Sequence, residues 1–393
     1  MAIQIEGLEL HNYRIFRDAS LKDLQRLSVL VGANGSGKST LFDVFSFLKD
    51  ALTHNVSVAV GKRGGFRELV SRGQSGPIGI TLKFRESSGK LATYELAVAE
   101  SDGAAVVERE VLKFRRGQYG QPWKFVDFSQ GRGQAITNEA AYGEPGAVEE
   151  RKEFALEDPA VLAIKGLGQF KEFRVVSELR SLIENWHISD FYISEARPSA
   201  EQGYAEHLST RGDNVAQVAQ FLRGHHPRVF DRILEVMKRR VPGVANVEAK
   251  TTEDGRLVLR FQDGAFRDPF IARYVSDGTI KMFAYLVLLY DPTPFPLLVV
   301  EEPENQLYPE LLPELAEEFR EYARRGGQVF VSTHSPEFLN GINLEEIDWL
   351  AKVDGFATLR RASESERIRR LIAEGDLPGV LWRQGLFEGA GLG

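Results

Sequence analysis

Cysteine is absent from this 393-residue chain. Its absence excludes disulfides, thiolate catalysis and cysteine-ligated zinc. Long apolar runs are missing as well: nowhere do the roughly 18 consecutive apolar residues of a membrane-spanning helix occur. The N-terminus lacks the apolar core of a secretory leader, so a cytoplasmic protein with no membrane partner is expected. Positive charge is not in excess either. Lys and Arg number 49 against 56 Asp and Glu, a net charge of −7, which argues against a uniformly basic nucleic-acid surface. No heptad pattern is sustained between residues 40 and 270, so no long coiled coil is inserted there, and no internal repeat appears. What remains, 43% hydrophobic and 27% charged residues, reads as globular. The length allows two or three domains, or one domain with a large insertion.

Against that background one stretch stands out. Gly32-Ala33-Asn34-Gly35-Ser36-Gly37-Lys38-Ser39, followed by Thr40, fits the phosphate-loop pattern G-x-x-x-x-G-K-[ST]. The apolar run Leu27–Val31 before it predicts a buried parallel strand, and Leu41, Phe45, Leu48 and Leu52 after it recur at helical spacing. Such a loop captures anions because its backbone N–H groups curl around phosphate oxygens at a helix N-terminus. Lys38 would reach the β- and γ-phosphates, and the Ser39 hydroxyl would join a Mg²⁺ shell. Chance alone would produce the four fixed positions in roughly one chain in a hundred of this length.

Three further stretches follow in order. Tyr274-Val275-Ser276-Asp277-Gly278-Thr279 precedes an apolar helix, and a serine with a small turn there can grip phosphate or simply cap the helix. Leu297–Val300 reads as a buried strand that ends in Glu301, Glu302, Pro303 and Glu304, and paired carboxylates after a buried Val-Val imply a cation nearby. A second apolar strand, Gln328–Ser332, ends at Thr333 and His334. Nearer the N-terminus, Ile3–Leu10 alternates like a strand and leads into His11-Asn12-Tyr13-Arg14-Ile15-Phe16.

In this order and spacing the motifs resemble the SMC/RecF-type ABC ATPase heads, and more narrowly the compact bacterial OLD-related ATPases of the AAA_21 and AAA_15 groups. The resemblance covers roughly residues 1–130 and 265–345. It implies ATP and Mg²⁺ as cofactors, with Glu301 holding the metal, Glu302 polarising the attacking water and His334 sensing the γ-phosphate. It also implies a homodimer in which Ser276 and Gly278 of one head grip the nucleotide of the other. Arg14 has two readings, a phosphate contact or a solvated surface residue. Departures from the family pattern are Glu301 in place of Asp, Tyr308 in place of His, and a signature reduced to Ser276 and Gly278. The glutamine loop is not placed; Gln74, Gln118 and Gln121 are candidates. The tail after His334 is too short for the Toprim domain of OLD nucleases, so a nuclease or toxin effector is expected on a separate chain. DNA is a further candidate partner, with DNA repair or phage defence as the context.

The fold expected is α/β: a mostly parallel sheet around the phosphate loop, an antiparallel β lobe, and an inserted, mainly helical region. Residues 1–130 and 266–393 would form the two halves of the head around an insertion at 131–265. Strands are expected at Ile78–Phe84, Ala92–Val98, Val106–Phe114 and Trp123–Phe128, then a loop over 129–147. Next come a helix bearing Val175, Leu179, Leu182, Ile183 and Trp186, a strand at 191–193, and helices over 214–222 and 227–241. The basic stretch Arg223–Arg240 reads better as a solvated amphipathic face than as a phosphate-backbone patch. Two other functions stay open: a small-molecule phosphotransferase, and a scaffold that binds ATP without hydrolysing it.

Overall fold

The computed structural model describes residues 3–114, 123–141, 148–191, 193–197 and 199–389. The chain forms two units, Met1–Trp186 with Glu345–Ser365 and Phe387–Gly393, and His187–Leu344 with Glu366–Leu386.

In the first unit the strand Leu27–Val31 is buried at all five positions, as a strand covered on both faces must be. It pairs in parallel with Ile347–Val353, Val31 lying opposite Trp349, and that strand turns back antiparallel into Phe356–Arg361. The helix Lys38–Thr53 buries Leu41, Phe45, Leu48 and Leu52, the positions the spacing predicts. Phe45 meets Trp186 edge-on at 5.3 Å. Val175, Leu179, Leu182 and Ile183 of the helix Arg174–Glu184 are buried on one side, as expected.

An eight-stranded antiparallel sheet makes the β lobe of this unit, running from Phe16–Lys22 at one edge to Arg151–Ala155 at the other. The four expected meander strands are present as Ile78–Arg85, Leu91–Ser101, Ala104–Phe114 and Trp123–Ser129. Strict alternation of buried and half-buried residues along Ile78–Arg85 gives the sheet one apolar face. The loop expected over 129–147 needs correction. Gln130 and Gly131 both adopt positive φ (48° and 76°) and turn the chain in two residues into the strand Arg132–Ile136. A polar composition hid a tight hairpin. Residues 142–147 lie outside the described set, as do Gln118 and Gln121; Gln74 is exposed.

In the second unit Leu298–Glu301 runs parallel to His187–Ser189 on one side and Val329–Thr333 on the other. The strand expected at 191–193 therefore lies earlier in the chain. At Asp190 the backbone N–H turns away to the carbonyl of Thr210 (2.9 Å), Tyr192 lies outside the described residues, and Ile193–Ala196 is helical. The apolar character of Phe191 serves a different contact, with the ring of Tyr285 at 5.0 Å. Helices Val215–His225 and Pro227–Arg240 match expectation, and a small antiparallel sheet, including Val244–Thr251 and Arg256–Asp263, stands beside them. The basic stretch faces carboxylates: Arg223 pairs with Asp231 (2.8 Å), Arg232 with Glu235 (3.2 Å) and Arg240 with Glu318 (3.3 Å). Its apolar side, including Phe230, Ile233 and Met237, is buried, so the helix is amphipathic as expected. No described helix is long and apolar enough to cross a membrane.

One buried acid in the β lobe ties it to the helices that follow. Glu110 is fully buried and accepts hydrogen bonds from the N–H of Ala163 (2.5 Å), the N–H of Ile164 (3.1 Å) and the Tyr94 hydroxyl (3.1 Å). Burial pushes its carboxyl from 4.5 up to about 7, against the pull of those donors toward the ionised form. A raised folded-state value means that its contribution is complete below the ordinary value and is lost as pH rises through the folded one. Unfolding free energy should therefore fall between about pH 5 and about pH 8, and less so in Glu110→Gln, which cannot ionise. Thermal melts of both proteins across that window check this; parallel declines would show that Glu110 does not titrate there.

Candidate functional site

The phosphate loop sits in the first unit, between the strand Leu27–Val31 and the helix Lys38–Thr53. A turn closes it, the Ser36 N–H donating to the Ala33 carbonyl at 3.1 Å. Asn34, Gly35 and Ser39 are exposed, Thr40 half-buried, and Gly32, Ser36, Gly37 and Lys38 buried. Gly37 has φ 112°, and a Cβ there would lie 2.4 Å from Cδ1 of Ile15. Only glycine meets both demands. The Lys38 ammonium curls back to donate to the carbonyls of Gly32 (2.7 Å) and Ala33 (3.3 Å). No side chain caps the first turn of the helix, and Ser36 Oγ is buried with no hydrogen-bond partner among the described residues. Open amides, an orphaned hydroxyl and a buried cation fit a phosphate group.

Arg14 also takes a definite role in this unit. Its Nη1 lies 3.2 Å from Oδ2 of Asp43 on the phosphate-loop helix, which also accepts from the Tyr13 hydroxyl (2.7 Å), while Arg63 Nε binds Oδ1 (2.8 Å). Burial, and then the neighbouring Asp43 charge, hold the Tyr13 phenol protonated far above its usual range. Arg14 is thus ion-paired to Asp43 on the phosphate-loop helix.

The acidic strand, the signature-like turn and His334 belong to the second unit. Val299 and Val300 are fully buried, and Glu301 ends their strand half-buried. The chain then breaks direction at Glu302, whose φ of 43° is left-handed and whose N–H donates to the Ser332 carbonyl at 2.9 Å. Glu302 Oε2 accepts from Asn305 Nδ2 (3.2 Å), and Oε1 lies 3.3 Å from Nδ1 of His334. The structure therefore brings Glu302 and His334 together, as their motifs imply.

Two participants are not explained by the motif reading, which names Glu304 without a role and does not name Lys281. Glu304 Oε1 accepts from the Thr333 hydroxyl (2.8 Å) and the His334 N–H (2.9 Å), and lies 3.3 Å from the histidine ring. With Trp382 Nε1 donating to the His334 carbonyl (3.1 Å), the histidine backbone is held on both sides. Lys281 is the other. It is 4% exposed and donates to the Asn305 carbonyl at 2.6 Å; burial lowers it to about 8, while Glu304, Asp190 and Glu302 pull the other way. A lone lysine inside the buried run Ile280–Leu289 was the available sequence signal. Lys281, Glu302 and Asn305 line a cleft of about 800 Å³ with Asp190, Tyr285 and Glu301.

Ser276 caps the helix Asp277–Leu289, its Oγ accepting from the Thr279 N–H at 3.3 Å. The capping half of its reading is thus realised. A Cβ on Gly278 would lie 3.0 Å from the Gln306 carbonyl, so the helix start and the loop after the acidic strand touch. Among the described residues no group of three or more His, Cys, Asp or Glu converges as a metal site. Ser39 in the first unit and Glu301 in the second each carry a hard oxygen donor of the kind Mg²⁺ takes.

A family model described as "AAA domain, putative AbiEii toxin, Type IV TA system" matches residues 27–340. Among solved structures, an Smc head bound to the C-winged helix domain of ScpA is 15% identical with a TM-score of 0.50, over 91% of this chain and 97% of that one. The Smc head domain with an extended coiled coil from Pyrococcus furiosus, bound to the C-terminal domain of ScpA, is 14% identical with a TM-score of 0.51, over 94% and 100%. The SMC head domain from Thermotoga maritima is 14% identical with a TM-score of 0.46, over 91% and 98%. At such identities the first two show a shared fold. No curated protein matches the chain.

Gly37→Ala places a side chain in the left-handed region and against Ile15. The strain of about 1–3 kcal/mol should weaken nucleotide binding about 5- to 150-fold, measured by titrating a fluorescent ATP analogue. Unchanged affinity would remove Gly37 from the binding loop.

Proposed function

The chain belongs to the AAA-domain family whose model spans residues 27–340, and from that premise we propose that it hydrolyses ATP as a conformational switch between separate and paired heads. The observation that carries this reading is the Glu302 carboxylate, held between Asn305 Nδ2 and the His334 ring just beyond a buried strand. A general base must be fixed in place and able to take a proton. Glu302 takes one from water as the water oxygen attacks the γ-phosphorus, and the bond to the bridging oxygen breaks to release ADP and phosphate. The phosphate-loop amides and Lys38 hold the β- and γ-phosphates, and His334 contacts the γ-phosphate. Ser39 and Glu301 would hold Mg²⁺, which would supply positive charge to the phosphate oxygens.

In the paired state Ser276 and Gly278 of a second copy close over the nucleotide. The exposed Ser276 at a helix N-terminus supports this, since that end of a helix favours anions. The two Smc heads above are bound to ScpA domains, and this chain is proposed to act likewise through a partner chain, here an effector nuclease or toxin. The family description, which names a putative toxin of a toxin–antitoxin system, supports a defence setting; DNA repair, with DNA as a ligand, is the other context of this proposal.

Glu302→Gln keeps shape and hydrogen bonding but removes the base, so ATP should bind while turnover falls about 10²- to 10⁴-fold. Normal turnover would shift the role to Glu304. Pairing is tested by mixing. Ser276→Arg should be inactive yet bind ATP as a single head. Mixed with Glu302→Gln it should regain part of the activity, because in a two-fold dimer one composite site carries both lesions and the other neither. A Ser276→Arg protein with normal hydrolysis would refute composite sites.

A further inference from the structure

A buried lysine in an apolar helix needs a reason, because methionine or leucine would fill its place without the desolvation cost. Lys281 is 4% exposed and its helix neighbours Ile280, Met282 and Phe283 are fully buried. Its ammonium makes one bond that explains its presence, to the Asn305 carbonyl at 2.6 Å. Asn305 is the residue whose side-chain amide donates to Glu302 Oε2 (3.2 Å) and whose N–H donates to the Glu302 carbonyl (3.1 Å). Glu302 sits in this turn at φ 43°, a conformation that must be held by its surroundings. The first turn of the same helix touches the next residue of the loop, where Gly278 leaves no room for a Cβ against the Gln306 carbonyl. One helix thus bonds the loop at the Asn305 carbonyl and packs closely against the next one.

We propose that Lys281 is a positioning residue for Glu302: through Asn305 it fixes the orientation of the catalytic carboxylate and couples it to the helix that Ser276 caps. The carboxylates of Glu302 and Asp190 line the same cleft as Lys281 and, with that of Glu304, act on its charge, so the ammonium also offsets their mutual repulsion. This rests on the reading of Glu302 as the base.

The test compares kcat, KM and ATP-analogue affinity for the full chain, Lys281→Met, Asn305→Ala and their double variant, with Glu302→Gln as reference. Lys281→Met should lower kcat about tenfold or more while KM and affinity stay within about twofold, since the nucleotide contacts are untouched. Asn305→Ala, at an exposed position, should lower kcat in the same direction. The double variant should lose no more than the worse single one, because both changes break one chain of contacts. The absence of cysteine permits a rescue: Lys281→Cys, alkylated with 2-bromoethylamine while unfolded and then refolded, regains a lysine-shaped amine and should regain kcat. A Lys281→Met or Asn305→Ala kcat within twofold of the parent overturns the proposal. So does a folded, aminoethylated protein that stays as slow as the thiol form. If Lys281→Met fails to fold, Asn305→Ala alone decides. Hydrolysis that depends on Glu302 but not on Lys281 sinks only this inference, whereas hydrolysis independent of Glu302 sinks the reading of the base along with it.

Discussion

Like charge crowded at a strand end is the constraint around which the second unit is arranged. Glu301, Glu302 and Glu304 follow two fully buried valines within four residues, and carboxylates so close to an apolar interior are costly without donors and cations. Each nearby peculiarity answers that cost. The left-handed φ of Glu302 turns its carboxylate toward Asn305 and His334. Glu304 turns the other way and accepts from Thr333 and from the His334 backbone. Lys281 brings a buried positive charge on a separate helix.

The phosphate loop of the first unit is the converse arrangement. Its backbone gathers donors rather than acceptors, and the bulk of Ile15 forbids a side chain at Gly37. Lys38 spends its ammonium on the loop's own carbonyls, which preshapes the cradle and keeps the cation at the site where phosphate charge is expected. Asp43 one turn further along gathers Arg14, Arg63 and Tyr13. That cluster fastens the hairpin of strands Gln4–Tyr13 and Phe16–Lys22 to the phosphate-loop helix.

The chemistry of both units was legible because it depends on residue type at fixed local spacing. Gly32 to Ser39, the acidic run Glu301 to Glu304 and His334 after its strand can each be found by reading along the chain. The β meander was legible too, since alternation writes a sheet face into consecutive residues. Where composition replaced periodicity, the reading slipped. The polar stretch after Ser129 holds a hairpin because Gln130 and Gly131 both accept positive φ, and Phe191 is apolar for the sake of Tyr285 rather than a strand.

By itself, then, the sequence determined the phosphate loop, the order of the motifs and the apolar faces of the strands and helices that carry them, because these are properties of near neighbours. Only the tertiary structure decided which side chains serve each functional group. Lys281 and Asn305 are 24 residues apart, and Glu304 and His334 are 30 apart. Such pairings depend on how a helix packs over a loop and which strands lie side by side. No local pattern records that, because the same lysine or glutamate on a solvated face would look identical in the chain.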